Sequence, residues 1–140
     1  MKVNQGDIFW ISQNESNRLV SDHTHPHVVI QDDISNAVLV CALTSNLKRA
    51  KAPGNILLEP GEAHLPQQSV VVVSQVSTVD KAELGEYIGT LTKQRLNQVL
   101  AGVRFLQFMT QHHNTLLGQL GFTCFKQYIS WCFCSFQIRC

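Results

Sequence analysis

Three histidines fall at alternate positions, His23, His25 and His27, with Pro26 set among them. An imidazole titrates near neutrality, so each of these side chains can give or take a proton under ordinary conditions. A little further on, the apolar run AVLVCALTSN delivers a hydroxyl, Thr44, to its end, and three cations, Lys48, Arg49 and Lys51, follow directly. Imidazole, hydroxyl and clustered cations make a phosphate-handling site and point to a protein that acts on RNA, whose phosphodiester bonds such side chains can break if three roles are filled. A base must take the 2′-hydroxyl proton, donors must hold the charged phosphorane, and an acid must protonate the leaving 5′-oxygen. Other readings use the same residues. Three alternating imidazoles could ligate zinc, but Pro26 interrupts the pattern and no fourth ligand is evident, so no metal and no cofactor is expected. His25 could equally be a plain loop residue before a proline, and the cations a solvated loop.

Such groups act only if a scaffold positions them, and the pattern around them is one of short strands. Asp7 to Ser12 reads as a first strand after Gly6, with a polar loop from Gln13 to Asp22. His27 to Gln31 reads as a second strand entered through Pro26, where a missing backbone donor is tolerated. Asp32 to Asn36 forms a turn, Ala37 to Thr44 a third strand, and Ser45 to Gly54 a basic loop closed by Pro53-Gly54. Asn55 to Glu59, Ser69 to Gln75 and Tyr87 to Leu91 complete the set. The four consecutive valines of Ser69–Gln75 mark a strand buried on both faces or central to a barrel. A single helix begins near Thr92, a suitable N-cap, and Leu96, Val99, Leu100, Val103 and Leu106 form one apolar stripe along it. Phe9 and Trp10 fall on opposite faces of the first strand. One belongs to the core, and the other is open to stacking on a base or packing in a dimer. The expected fold is mainly β with a C-terminal helix, a small barrel or sandwich.

Composition bounds the function classes. At 140 residues the chain can build one modest core. Its hydrophobic fraction of 44% and charged fraction of 15% exclude global disorder. The formal charge of +1 conceals a body, residues 1–110, with nine Lys/Arg against ten Asp/Glu. A near-neutral body does not hold a polyanion by bulk attraction, so any nucleic acid must meet a local patch, and Lys48–Lys51 is the main one. No secretory h-region and no run approaching a membrane helix is visible, which makes the cytoplasm the expected location. Only one of the five cysteines, Cys41, lies in the body, so disulfides are not what folds it.

After about residue 110 the composition changes. Residues 111–140 carry four cysteines and six of the eleven aromatics but only two charges, Lys126 and Arg139. Neither helical nor strand periodicity survives there. Such a tail is an interface, an aggregation-prone appendage or the product of a shifted reading frame, so the expected organisation is a domain over 1–110 followed by an atypical tail over 111–140.

Four blocks in register carry a family resemblance: QGDIFWI, HPHVVIQDDISN, VCALTSNLKRAKAPGN and SVVVVSQVSTVDKAELGEYIGTL. Over about residues 3–107 the chain resembles the MazF/PemK toxins of type II toxin–antitoxin systems. The resemblance implies an SH3-like small barrel with a C-terminal helix, acting as a homodimer. It also implies a metal-independent endoribonuclease that cuts single-stranded RNA, usually mRNA, and a cognate antitoxin that occludes the RNA groove. Where the family pattern has an arginine before the proline of the second strand, this chain has His25. Thr44 matches the family threonine, and Ser77 stands where an arginine commonly follows the glutamine, Gln75. His25 and Thr44 are therefore the expected catalytic pair. His23, His27, Lys48, Arg49, Lys51, Gln75 and Ser77 are the expected RNA- or antitoxin-binding residues. The loss of arginine at position 77 removes a charge that would stabilise the transition state. A catalytically impaired barrel that only binds antitoxin or nucleic acid, or a poison of DNA gyrase, is the alternative.

Overall fold

The computed structural model describes residues 2–12 and 24–116. Among these described residues six strands and one helix follow in order: β1 (Asp7–Ser12), β2 (Thr24–Ile34), β3 (Ala37–Thr44), β4 (Ile56–Leu58), β5 (Ser69–Asp80), β6 (Leu84–Thr90) and α1 (Lys93–Leu116). Short 3-10 turns occupy Leu47–Lys51, Glu62–His64 and Lys81–Glu83. The chain divides into two units, residues 1–103 and 104–140, and the second is described here only along α1 to Leu116.

The strands form one antiparallel sheet in the order β4-β5-β3-β2-β1-β6. Its ladder is open, with β4 and β6 as the two edges. Packing fills part of that gap, because Gly89 of β6 approaches the Glu62–His64 turn so closely that a Cβ there would overlap the Ala63 carbonyl oxygen. Ala63 and His64 both take left-handed backbone conformations, φ 51° and 59°, to make that turn. Such conformations are costly for residues with a Cβ.

Both faces of the sheet centre are buried. Alternation puts Phe9, Ile11, Val29, Val38 and Val40 on one face, where they form a cluster with Val3, and Val79 and Leu84 pack against it. Ile8, Val28 and Cys41 lie on the opposite face and are fully buried. Of the two aromatics of β1, Phe9 is the core residue, at 2% exposure, and Trp10 is half-buried.

The helix begins as its sequence predicts. The Arg95 amide donates to Thr92 Oγ1 at 3.3 Å, and Arg95 Nε is held by Glu62 Oε1 at 2.7 Å. Val99 and Val103 are buried, while Leu96, Leu100 and Leu106 are half-buried. Gly102 lets the helix lie against the loop after the first 3-10 turn. A Cβ at Gly102 would collide with the carbonyl oxygen of Gly54, itself at φ +81°. The helix runs to Leu116, beyond the expected domain limit near 110, and residues 117–140, most of the atypical tail, lie outside the described residues.

Three strands run longer than the sequence expectation, while β4 is shorter, at Ile56–Leu58. β2 runs from Thr24 to Ile34, so Pro26 is its third residue and the turn shrinks to Ser35-Asn36. This is tolerated because the ladder to β3 begins only at His27. β6 begins at Leu84 rather than Tyr87. β5 continues past Gln75 to Asp80, since Val76–Asp80, polar as they are, complete a ladder with Ala37–Cys41 of β3.

Candidate active site

The sheet register brings the sequence-predicted residues toward one face. His27 pairs with Phe9 on β1 and with Ala42 on β3, and His25 pairs with Ile11. The β2–β3 ladder begins at His27–Ala42, and His25 and Thr44 each lie two residues beyond that pair on their own strands. Alternation from Val38 and Val40 through Ala42 puts Thr44 on the face of the Phe9 cluster, and alternation from Val29 puts His27 and His25 there too. On β5, Ser77 pairs with Val40, and Val79 packs against the same cluster, so Ser77 shares this face, and the exposed Gln75 lies in the bulge just before it. The result is an apolar centre with an exposed His25, a half-buried Thr44 and an exposed Ser77 along its rim.

Each member is positioned by local structure. The Thr44 hydroxyl oxygen accepts the Asn46 amide at 3.2 Å, which leaves its hydrogen as the group that can donate to a phosphate oxygen. Asn46 in turn caps the 3-10 turn Leu47–Lys51, accepting the Lys48 amide on Oδ1 at 3.3 Å. The segment expected as a loop is therefore a helical turn. Three residues per turn align Lys48 with Lys51, and Lys48, Arg49 and Lys51 are all exposed. Asn55 ties this turn to the sheet, donating from Nδ2 to the Arg49 carbonyl at 2.8 Å and accepting the Val73 amide on Oδ1 at 3.1 Å. The cations thus stand on a braced turn that follows directly from the strand carrying Thr44.

His27 differs from His25 in its surroundings. It is 3% exposed, and its Nδ1 lies 2.9 Å from the His25 carbonyl oxygen. A carbonyl only accepts, so Nδ1 carries the hydrogen and donates it. Burial lowers the pKa of His27 below the usual histidine range; the hydrogen bond to His25 opposes that shift, and the nearby His25 ring adds to it. His23, expected beside these two, lies outside the described residues.

The bend that separates the two parts of β5 is built from Cys41. On passing from Cys41–Val76 to Leu43–Val71 the register slips, so β5 carries extra residues between Val71 and Val76. The buried Cys41 thiol donates to the Val72 carbonyl at 3.0 Å inside that bulge, and burial pushes its pKa up to about 12. A thiol so protonated and enclosed is structural.

A model of the PemK-like, MazF-like toxins of type II toxin–antitoxin systems matches residues 4–106. The chain belongs to that family. It is 29% identical over 109 residues to endoribonuclease MazF2 of Mycobacterium bovis and to endoribonuclease MazF6 of Mycobacterium tuberculosis, matches that span 74% of this chain and 96% of each relative. Among solved structures it is similar to MazF from Deinococcus radiodurans, with a TM-score of 0.60 and 19% identity over 76% of this chain and 97% of that one. It is also similar to a mycobacterial endoribonuclease in complex with its cognate antitoxin, with a TM-score of 0.53 and 16% identity over 71% and 86%. These likenesses show the MazF fold.

Sequence reading missed two arrangements in this PemK/MazF-like body. The first is a relay on its β6 side. The exposed Tyr87 hydroxyl lies 2.7 Å from Thr90 Oγ1, which donates at 2.7 Å to the buried Asp7 carboxylate, while the Tyr87 ring meets Phe9 edge-on at 5.6 Å. Only the sheet brings Asp7 and Thr90 together, and no local motif announces the pairing. The second is the bracing by Asn46 and Asn55. The sequence did carry a signal for Asn46, which is a capping residue type two positions before Lys48.

Proposed function

We propose that this chain is a metal-independent endoribonuclease toxin that cleaves single-stranded RNA, with His25 as its proton-transfer group. The observation that supports this reading is the pairing of His27 with Ala42, since alternation from that pair carries the exposed His25 and the half-buried Thr44 to the same face of the sheet. The family, and relatives named endoribonucleases, support the same activity.

In the proposed step the RNA 2′-oxygen attacks the adjacent phosphorus, and the bond from phosphorus to the 5′-oxygen breaks. The products are a 2′,3′-cyclic phosphate and a 5′-hydroxyl. His25 accepts the 2′-hydroxyl proton and returns one to the leaving 5′-oxygen. The Thr44 hydroxyl donates to a non-bridging oxygen, and Lys48, Arg49 and Lys51 hold neighbouring phosphates at the end of the same strand. Gln75 and Ser77 line the RNA path as uncharged donors. With serine at position 77, one positive charge fewer faces the phosphorane, so this enzyme turns over more slowly than an arginine-bearing relative. We place the activity in the cytoplasm. The working form is a homodimer, and a cognate antitoxin occludes the RNA surface, in keeping with the similarity to a toxin solved with its antitoxin. The body over residues 1–110 is the functional domain, and α1 continues beyond it to Leu116.

The test is cleavage of a single-stranded RNA oligonucleotide in EDTA. The full chain should release a 2′,3′-cyclic phosphate end with a rate that varies around the histidine range. His25→Ala should lower the rate by roughly 10²-fold or more, the usual size of an acid–base contribution. A His25→Ala protein as fast as its parent would remove His25 from the site. A parent that binds RNA but never cuts it would leave a binding module.

A further inference from the structure

His27 stands on the same strand and the same face as His25, yet its side chain is closed off. Its cross-strand neighbours are Phe9 on β1 and Ala42 on β3. Neither titrates, so among these contacts His25 is the one ionisable group facing it. At 3% exposure the ring is shielded from an RNA strand lying over the rim. Its polar contact is with the backbone of the residue proposed to transfer the proton, through Nδ1 at 2.9 Å from the His25 carbonyl oxygen.

His25 pairs with Ile11 of β1, and the ladder between β2 and β3 begins two residues later, at His27. The residue after His25 is Pro26, which brings no N–H and fixes its own φ near −65°. Proline also confines the preceding residue to extended conformations. The His25–Pro26 peptide is thereby restrained from one end by the pyrrolidine ring, and the His27 hydrogen bond restrains its oxygen from the other. With the peptide plane held, and ψ of His25 confined by the following proline and by pairing with Ile11, the Cα–Cβ direction of His25 is restrained while its side-chain torsions stay free.

We propose that His27 is a positioning residue, whose Nδ1–H bond to the His25 carbonyl aims the His25 imidazole across the strands toward Thr44. This rests on His25 being the proton-transfer group. It gives His27 a role without RNA contact, in place of the binding role its sequence position suggests. The His-Pro-His tripeptide then acts as one unit: the first residue reacts, the second stiffens the backbone, and the third anchors it. The lowered proton affinity of His27 accords with this, since burial disfavours the charged form of a ring that has to hold one hydrogen bond.

The amides of asparagine and glutamine separate this role from simple packing. Asparagine presents its amide nitrogen close to where Nδ1 lies, whereas glutamine carries it one bond further out. The full-length protein and its His27→Asn, His27→Gln and His27→Leu variants would be compared on one RNA oligonucleotide in EDTA. For each, kcat, KM and the pH profile of kcat would be measured alongside the thermal midpoint. His27→Asn should keep kcat within about threefold of the parent. His27→Gln and His27→Leu should lose roughly 10- to 100-fold in kcat, the scale of a misplacement near 1 Å, with KM nearly unchanged because the phosphate-binding cations are untouched. The pH dependence owed to His25 should persist in all variants that cut. In a His25→Ala background, His27→Leu should cause no further loss. If His27→Leu does not fold, the contrast between asparagine and glutamine still decides. Equal kcat values for those two, high or low, overturn the positioning role. So does a further tenfold loss from His27→Leu in the His25→Ala background. A parent-like rate for His25→Ala itself overturns the underlying assignment of His25 instead, and the two failures are distinguishable.

Discussion

The two halves of β5 share one strand but do different work. Ser69–Val73 is buried throughout and lies between β4 and the end of β3. Ser74–Thr78 is exposed and pairs with β3 alone. The division falls at the bulge where Cys41 Sγ reaches the Val72 carbonyl and Asn55 Oδ1 takes the Val73 amide. A strand kept straight would carry the alternation of its first half into its second. By bending, the chain buries its valines in the core and presents Ser77 on the face that carries His25 and Thr44. A bulge beside a site, re-aiming side chains, is a recurrent device. The strand thus divides into a core half and an exposed half, and substitutions can test whether the proposed function follows that border.

The largest effect on folding belongs to the buried half. Gly102 of α1 lies against Gly54, and a Cβ added there would also press within 3.1 Å of Val73. Because the obstructing atom is backbone, relief requires the helix to move. Gly102→Ala should cost about 1–3 kcal/mol in a urea unfolding experiment, the range for overpacking a close contact. An unchanged midpoint would show that the helix is not seated on that loop.

The exposed half should behave in the opposite way. Ser77→Arg returns a cation to the rim at a position open to solvent. The RNA cleavage rate should rise by roughly tenfold, a fraction of what a single transition-state donor contributes elsewhere. Stability should stay within about 0.5 kcal/mol, as expected for a surface change. A drop in both rate and stability would place position 77 with the core and erase the border proposed here.

A smaller effect concerns pH and sharpens the contrast between His25 on the rim and His27 beneath it. His27 has a lowered pKa in the fold because burial disfavours its charged form. Below about pH 6.5 the unfolded chain takes up a proton at this position while the folded chain does not, so acid favours unfolding. The contribution of neutral His27 is fully present above that pH and is lost as pH falls toward the lowered value. The thermal midpoint should therefore decline between pH 6.5 and 5, and the His27→Asn protein should show a shallower decline whatever its absolute midpoint. Parallel curves would mean that His27 is hydrated in solution.

Much of this was legible in the sequence, for identifiable reasons. Turn residues and valine-rich runs fixed the number and order of the strands, because Gly and Pro punctuate a chain by their own backbone preferences. Thr92 and the stripe through Val99 and Val103 marked the helix, since capping and apolar periodicity are local properties. The blocks around His25, Thr44 and Gln75 revealed the PemK/MazF family and the residues to watch. Pairing decided the rest. Nothing near Ser77 in the sequence says that it faces the same way as Val40. Nothing near His27 separates a buried anchor from an exposed ligand. The extension of β5 to Asp80 depended on a partner strand more than thirty residues earlier, and the relay from Tyr87 through Thr90 to Asp7 joins the two ends of the body. Local chemistry thus determined which residues could act. Only the hydrogen-bonded register of distant strands decided which of them share a face, because cross-strand contact depends on where the partner strand lies, and short-range patterns do not encode that.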